Sequence, residues 1–187
     1  MEPNGIFHFM VQSNRMLRRQ FLVASASFLS TPFVATAARA GQAQERRLQF
    51  HNPHTGEHFD AVYFSNGRYR NDALSEFYRI ARDWRQDAEV KIDTRTINVV
   101  YKIQTLLEKE GPFQLVSGYR TPQTNHLVHG AKHSFHMRGE ALDIAHPEVS
   151  TRLLHKVALH VRGGGVGYYP REHFVHVDCG PVRSWTA

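Results

Sequence analysis

Two short apolar runs in this chain carry ionisable residues in phase with a β-strand, and they limit the folds open to it. In Glu140-Ala141-Leu142-Asp143-Ile144 the side chains alternate, so Leu142 and Ile144 share one face and Asp143 takes the other. In Phe174-Val175-His176-Val177-Asp178 the valines share a face and leave Phe174, His176 and Asp178 opposite. A carboxylate placed amid apolar strand residues is costly to bury without a partner, and a cation is one remedy. A third segment, Val116-Ser117-Gly118-Tyr119-Arg120-Thr121-Pro122, reads as a strand running into a turn and leaves Arg120 at the strand end.

Around these runs the pattern is that of an α+β domain. Arg47 to His51 alternates as a strand, and Ala61 to Phe64 reaches a turn at Asn66-Gly67 and resumes at Arg68-Tyr69, so a small N-terminal hairpin is expected. Asn71-Asp72 is placed to cap a helix with Leu74, Phe77, Tyr78 and Ala81 on its apolar face. A second helix is expected from Thr94 to Glu110, with Ile97, Val100, Tyr101, Ile103, Leu106 and Leu107 facing the core and Gly111-Pro112 ending it. Phe113 to Val116 reads as a further strand, and a helix over roughly Ser150 to Val161 ends at Gly163-Gly164-Gly165. The expectation is a single domain in which a small antiparallel sheet carries the histidines and packs against helices.

The first forty residues read as an address. Arg18-Arg19 stands before a mostly apolar or small stretch, Phe21 to Ala38, and Ala38-Arg39-Ala40 follows as a small-x-small cleavage pattern. This is the three-part layout of an export signal, and the paired arginines point to the twin-arginine machinery as a partner. Pro32 and the many serines and threonines argue against a membrane-spanning helix. The division expected is 1–40 for the signal and 41–187 for the folded domain, with the mature protein in the periplasm of a bacterium. The net charge of +6 falls to +3 once this segment, with Arg15, Arg18, Arg19, Arg39 and Glu2, is set aside. The remaining basic residues are interleaved with acids, as in Arg82-Asp83-Trp84-Arg85-Gln86-Asp87, and form no stripe with stacking aromatics, so a nucleic-acid partner is excluded. The single cysteine, Cys179, excludes an internal disulfide and a four-cysteine zinc cluster, and reads as a packed residue or free thiol.

Nine of the 13 histidines lie between His126 and His176. His136 falls in a loop where Gly139 lets the chain turn, Asp143 on the strand that follows, and His176 on the last strand. Two neutral imidazoles and one carboxylate make a three-ligand set with a fourth tetrahedral position open to water, the pattern of a catalytic zinc. Asp178 is placed to hold a neighbouring side chain. On pattern alone, a hydrogen-bonded cluster without metal competes with this reading. His51, His54 and His58 are spread through a turn, and His126, His129, His133, His146, His155 and His160 lack a carboxylate partner at ligand spacing.

The residues also resemble a known group. Ser134, His136, Gly139, Ala141 and Asp143 match the Ser-x-His-x-x-Gly-x-Ala-x-Asp signature of zinc peptidases acting on D-amino-acid peptides of bacterial cell walls, a group that includes the D-Ala-D-Ala carboxypeptidases and hedgehog-type domains. More narrowly, the chain resembles the YcbK-like murein endopeptidases. It shares with them His-Thr-Gly-Glu at 54 to 57, Asn-Gly-Arg-Tyr at 66 to 69, Arg-Asp-x-Arg at 82 to 85, Gly-Gly-Val-Gly-Tyr-Tyr-Pro at 164 to 170 and Gly-Pro-Val-Arg-x-Trp at 180 to 185.

The resemblance implies a zinc-dependent peptidase that hydrolyses peptide cross-links of peptidoglycan. It assigns His136, Asp143 and His176 to the metal, Arg120 to substrate or transition-state charge, and Ser134 and Tyr119 to the substrate side of the site. The general base is open: His173 is ranked above Glu172, although on a regular strand His173 would face the valine side. A D,D- or L,D-carboxypeptidase and a non-catalytic wall-binding module are the alternatives. Nothing in the sequence requires a dimer, and a monomer is expected.

Overall fold

A computed structural model describes residues 45–187, so the expected export signal lies outside the described residues. Strands β1 (Arg46–His51) and β2 (His58–Ser65) form the expected hairpin, and their alternation buries Leu48, Phe50, Phe59 and Tyr63. Asn66 and Gly67, both in the left-handed region, turn β2 into the two-residue strand β3 (Arg68–Tyr69), as a tight hairpin loop requires.

Helix α1 (Asn71–Ile80) buries Ala73, Leu74, Phe77 and Ile80. Its start differs from expectation: Asn71 is already helical, and Arg70 occupies the cap position without a side-chain bond. Helix α2 (Thr94–Leu107) is capped by the Asp93 carboxylate, which accepts from Arg95 N–H. It ends three residues earlier than expected because Glu108 turns left-handed, before Gly111-Pro112 is reached. Leu106, expected in the core, is 50% exposed, and Val99 fills the buried face instead.

Strand β4 (Phe113–Ser117) leads into the short helix α3 (Pro122–Leu127), and strand β5 (Ala141–Ala145) follows a single 3-10 turn, Phe135–Arg138. Helix α4 (Thr151–Val161), capped by Ser150, then precedes β6 (Gly165–Tyr169), β7 (Phe174–Asp178) and β8 (Arg183–Thr186). Helices α2 and α4 pack on each other and both touch β7, while α1 packs on β2.

The α+β layout holds, but the sheet is larger than the small antiparallel one expected. Among the described residues it has eight strands in the order β3-β2-β1-β4-β5-β7-β6-β8. Two parallel pairings enlarge it: β1 joins β4 through Phe50 opposite Phe113, and β8 adds to β6 through Gly165 opposite Arg183. The register places Ser117, Asp143, His176, Gly167 and Trp185 side by side on five successive strands. That row, running from the middle of the sheet to its β8 edge, carries the site. Among the described residues no helix is long and apolar enough to cross a membrane.

Candidate metal centre

Each element presents one part of the site for a local reason. Ser134 caps the 3-10 turn, its Oγ accepting from His136 N–H at 3.3 Å, and this fixes the imidazole's base. Gly139 ends the turn at φ 68°, where an added Cβ would lie 2.6 Å from the Lys91 carbonyl oxygen, so glycine is needed for both conformation and space. Two strands supply the rest: Asp143 on β5 stands directly opposite His176 on β7.

His136 Nε2 lies 3.1 Å from Asp143 Oδ1 and 3.1 Å from His176 Nδ1, and His176 Nδ1 lies 2.9 Å from Asp143 Oδ1. All three residues are buried. The remaining ring nitrogens fix the tautomers. His136 Nδ1–H donates to the Gly118 carbonyl at 2.7 Å, and His176 Nε2–H donates to Asp178 Oδ2 at 3.0 Å. In the neutral rings, both nitrogens that face Asp143 Oδ1 therefore present lone pairs. Three lone-pair atoms converging in a buried space repel one another unless a cation lies between them, so this donor set fits a metal such as zinc.

The electrostatics agree. Burial pushes the His136 imidazole below its ordinary pKa. Burial alone would raise the Asp143 carboxyl, but His136, His176 and Arg120 overcome it and hold the group far below the usual carboxylate range. Burial also opposes charge on His176, yet Asp143 and Asp178 on either side hold its pKa above the ordinary value.

The surroundings hold this set in place. Arg120 pairs with Asp143 Oδ2, leaving Oδ1 to the imidazoles, and its Nε donates to Ser117 Oγ at 2.8 Å. Asp178 is fully buried and accepts from the backbone N–H groups of Gly165 and Gly180 at 2.9 and 2.8 Å, and from Arg183 at 2.6 Å. It fills the supporting role expected of it.

His136, Asp143, His176, Arg120 and Ser134 all line a cleft of about 590 Å³. Glu172 lines it too. His173 does not: it is exposed, with φ 60°, and the strand begins only at Phe174, so an expectation based on strand alternation does not apply to His173 or to Glu172. Tyr119 packs against the hydrophobic core, its N–H bonded to the Ala81 carbonyl, and is not among the cleft-lining residues. Cys179 is half-buried, stands outside the metal-facing group and has its thiol pKa pushed up by burial.

Several cleft residues went unassigned in the sequence reading. Trp185 reaches His176 with ring centroids 5.1 Å apart, because Gly167 between them has no side chain; a Cβ there would lie 2.6 Å from the indole. Trp185 Nε1–H donates to the Tyr169 hydroxyl at 3.1 Å, and Tyr169 stacks on Phe174 at 4.4 Å, completing an aromatic wall. On the β4 side, His54 bonds to the Val116 carbonyl and lines the cleft with Arg85. The tryptophan and both β4-side residues belong to motifs already quoted, at 180 to 185, 54 to 57 and 82 to 85, which gave position but no role.

Comparison with known proteins adds to this geometry. Residues 40–185 match the family described as peptidoglycan L,D-endopeptidase MepK. The chain is 35% identical over 182 residues to the Escherichia coli protein of that name, covering 95% of this chain and 98% of that protein. A Shigella flexneri protein of the same name shows the same identity and coverage. A Haemophilus influenzae protein named probable peptidoglycan L,D-endopeptidase MepK is 32% identical over 154 residues, covering 79% of this chain and 83% of that protein.

Proposed function

The chain belongs to the peptidoglycan L,D-endopeptidase MepK family, and from that premise we propose that it is a zinc-dependent hydrolase of peptide cross-links in bacterial peptidoglycan. The observation that carries the reading is the convergence of His136 Nε2, His176 Nδ1 and Asp143 Oδ1, all with lone pairs directed inward, in an open cleft. These three atoms would hold the zinc. Bound there, zinc supplies Lewis acidity to an amide carbonyl and to water, so that hydrolysis proceeds near neutral pH.

The chain's own groups do the rest. Asp178 holds the His176 tautomer through Nε2, and Gly118 holds that of His136 through Nδ1. Arg120 fixes Asp143 through Oδ2 and meets the charge that develops on the substrate carbonyl oxygen. Glu172, on the cleft wall, accepts a proton from the attacking water and returns it to the leaving nitrogen, displacing His173 from first rank. Trp185, Tyr169 and Phe174 give the peptide an apolar wall.

The setting follows from the N-terminal sequence: Arg18-Arg19, the apolar stretch and Ala38-Arg39-Ala40 support twin-arginine export and action in the periplasm. Purified cross-linked muropeptides incubated with the protein, with and without zinc, test the activity. Dimers converted to monomers are expected. Monomers losing one terminal residue would instead make it a carboxypeptidase, and sacculus binding without product would make it a wall-binding module.

A further inference from the structure

The segment Arg82-Asp83-Trp84-Arg85 has no part in the chemistry above, yet three of its four residues are tied down. Arg82 is largely buried between Glu57 and Asp87, at 2.6 Å from each. Asp83 is buried and accepts from Thr121 N–H and Oγ–H at 2.9 and 2.8 Å, which joins the segment to the start of α3 just beyond Arg120. Trp84 stacks on His54, centroids 4.8 Å apart, and His54 is itself bonded to β4 through the Val116 carbonyl at 3.1 Å.

Arg85 is the residue these anchors present. Its backbone N–H donates to Asp83 Oδ1 at 3.1 Å, and its guanidinium lies 4.2 Å over the Trp84 ring. Of the three arginines lining the cleft, Arg120 is paired with Asp143 and Arg183 with Asp178. Arg85 has no carboxylate partner among the described residues. It is exposed, and stacking on Trp84 limits its motion without using its N–H donors.

Its place along the cleft defines what it meets. The row from Ser117 to Trp185 crosses four inter-strand steps, about 19 Å at 4.8 Å each, which accommodates five to six extended residues at about 3.4 Å apiece. Asp143 and His176 sit within that row, Trp185 ends it on one side, and the segment carrying Arg85 adjoins the other. An anchored, unpaired guanidinium beside such a groove suits a planar anion, which it can grip with two parallel N–H donors.

We propose that Arg85 is a specificity-determining residue that receives a free carboxylate of the substrate peptide at the β4 end of the cleft. This rests on the peptidase reading above. The selectivity it confers is for peptides whose carboxylate is free over the same peptides carrying a carboxamide there.

The test compares two cross-linked peptide dimers, identical except that the free carboxylates of one are amidated. Wild type, Arg85→Gln and Arg85→Lys are assayed for cleavage, and calorimetry follows binding of both dimers to each zinc-loaded protein. Wild type should favour the free acid by at least about 10-fold in kcat/KM, as expected for a charge-assisted pair. In Arg85→Gln that ratio should fall towards one, through KM, and Arg85→Lys should restore part of it. Equal selectivity in wild type and Arg85→Gln, in cleavage or in binding, would overturn the proposal. If wild type cleaves neither dimer, the peptidase reading fails, while the binding ratios still decide the role of Arg85. Thermal melts should match, because the Arg85 side chain is exposed and only its backbone is bonded to Asp83.

Discussion

Replacing Asp178 with Asn should damage the metal centre without touching any residue that faces the metal. The two oxygens of Asp178 are not equivalent. Oδ1 accepts from Gly165 N–H, Gly180 N–H and Arg183, whereas Oδ2 accepts from His176 Nε2–H and from Arg183. An asparagine must keep its oxygen at the first position, since two backbone donors converge there, and must turn its NH2 towards His176. His176 Nε2 then becomes an acceptor, and its proton moves to Nδ1, the nitrogen that faces His136 Nε2 and Asp143 Oδ1. Binding zinc would require displacing that proton. Loss of such a supporting partner costs about 10- to 100-fold in metal affinity, or about 1.4–2.7 kcal/mol. Competition with a chromophoric chelator gives the zinc affinity, and nitrogen NMR of the zinc-free protein gives the tautomer. An Asp178→Asn protein that is folded, keeps the Nε2–H tautomer and binds zinc within about twofold of wild type would refute this reasoning.

Further predictions concern the neighbouring structure. Gly167→Ala drives a methyl into the Trp185 indole, so it should destabilise the fold by about 1–3 kcal/mol and shift tryptophan emission, read by thermal melts and fluorescence. Glu172→Gln should lower kcat about 10²- to 10⁴-fold with zinc affinity unchanged, whereas His173→Gln should leave kcat near wild type. Burial alone would raise the Asp83 carboxyl, but the neighbouring Thr124 hydroxyl and the Thr121 donors hold its pKa below the ordinary value. Its contribution to stability is therefore complete above the unfolded value of about 3.9 and is lost as pH falls through the lower folded value. Denaturant unfolding should show Asp83→Asn less stable than wild type at pH 7, with the gap closing below about pH 4.

The sequence made the site's floor legible because strand alternation has a period of two. Leu142 and Ile144 define a core face, so Asp143 must lie opposite, and the valines at 175 and 177 do the same for His176 and Asp178. His136 was findable from Gly139, which marks the turn beside it. The walls were not legible, because they depend on long-range pairings. Trp185 reaches His176 only through the parallel addition of β8 to β6 and the absence of a side chain at Gly167. Arg85 reaches the cleft only because Asp83 is bonded to Thr121 and Trp84 is stacked on His54. The full sheet was hidden for the same reason: β1 meets β4 across two strands and two helices, by just two residue pairs. His173 shows the opposite failure, since local alternation was extended past the point where a left-handed residue breaks it.

The central claim is that one zinc held by His136, Asp143 and His176 makes this chain a cross-link hydrolase. Titrating zinc into the metal-free protein while measuring bound metal and cleavage of a cross-linked muropeptide dimer together tests it most directly. Activity should rise in proportion to bound zinc and saturate at one equivalent per chain, and His136→Ala should lose both. Undiminished cleavage by the metal-free protein, or by His136→Ala without bound zinc, would contradict the account.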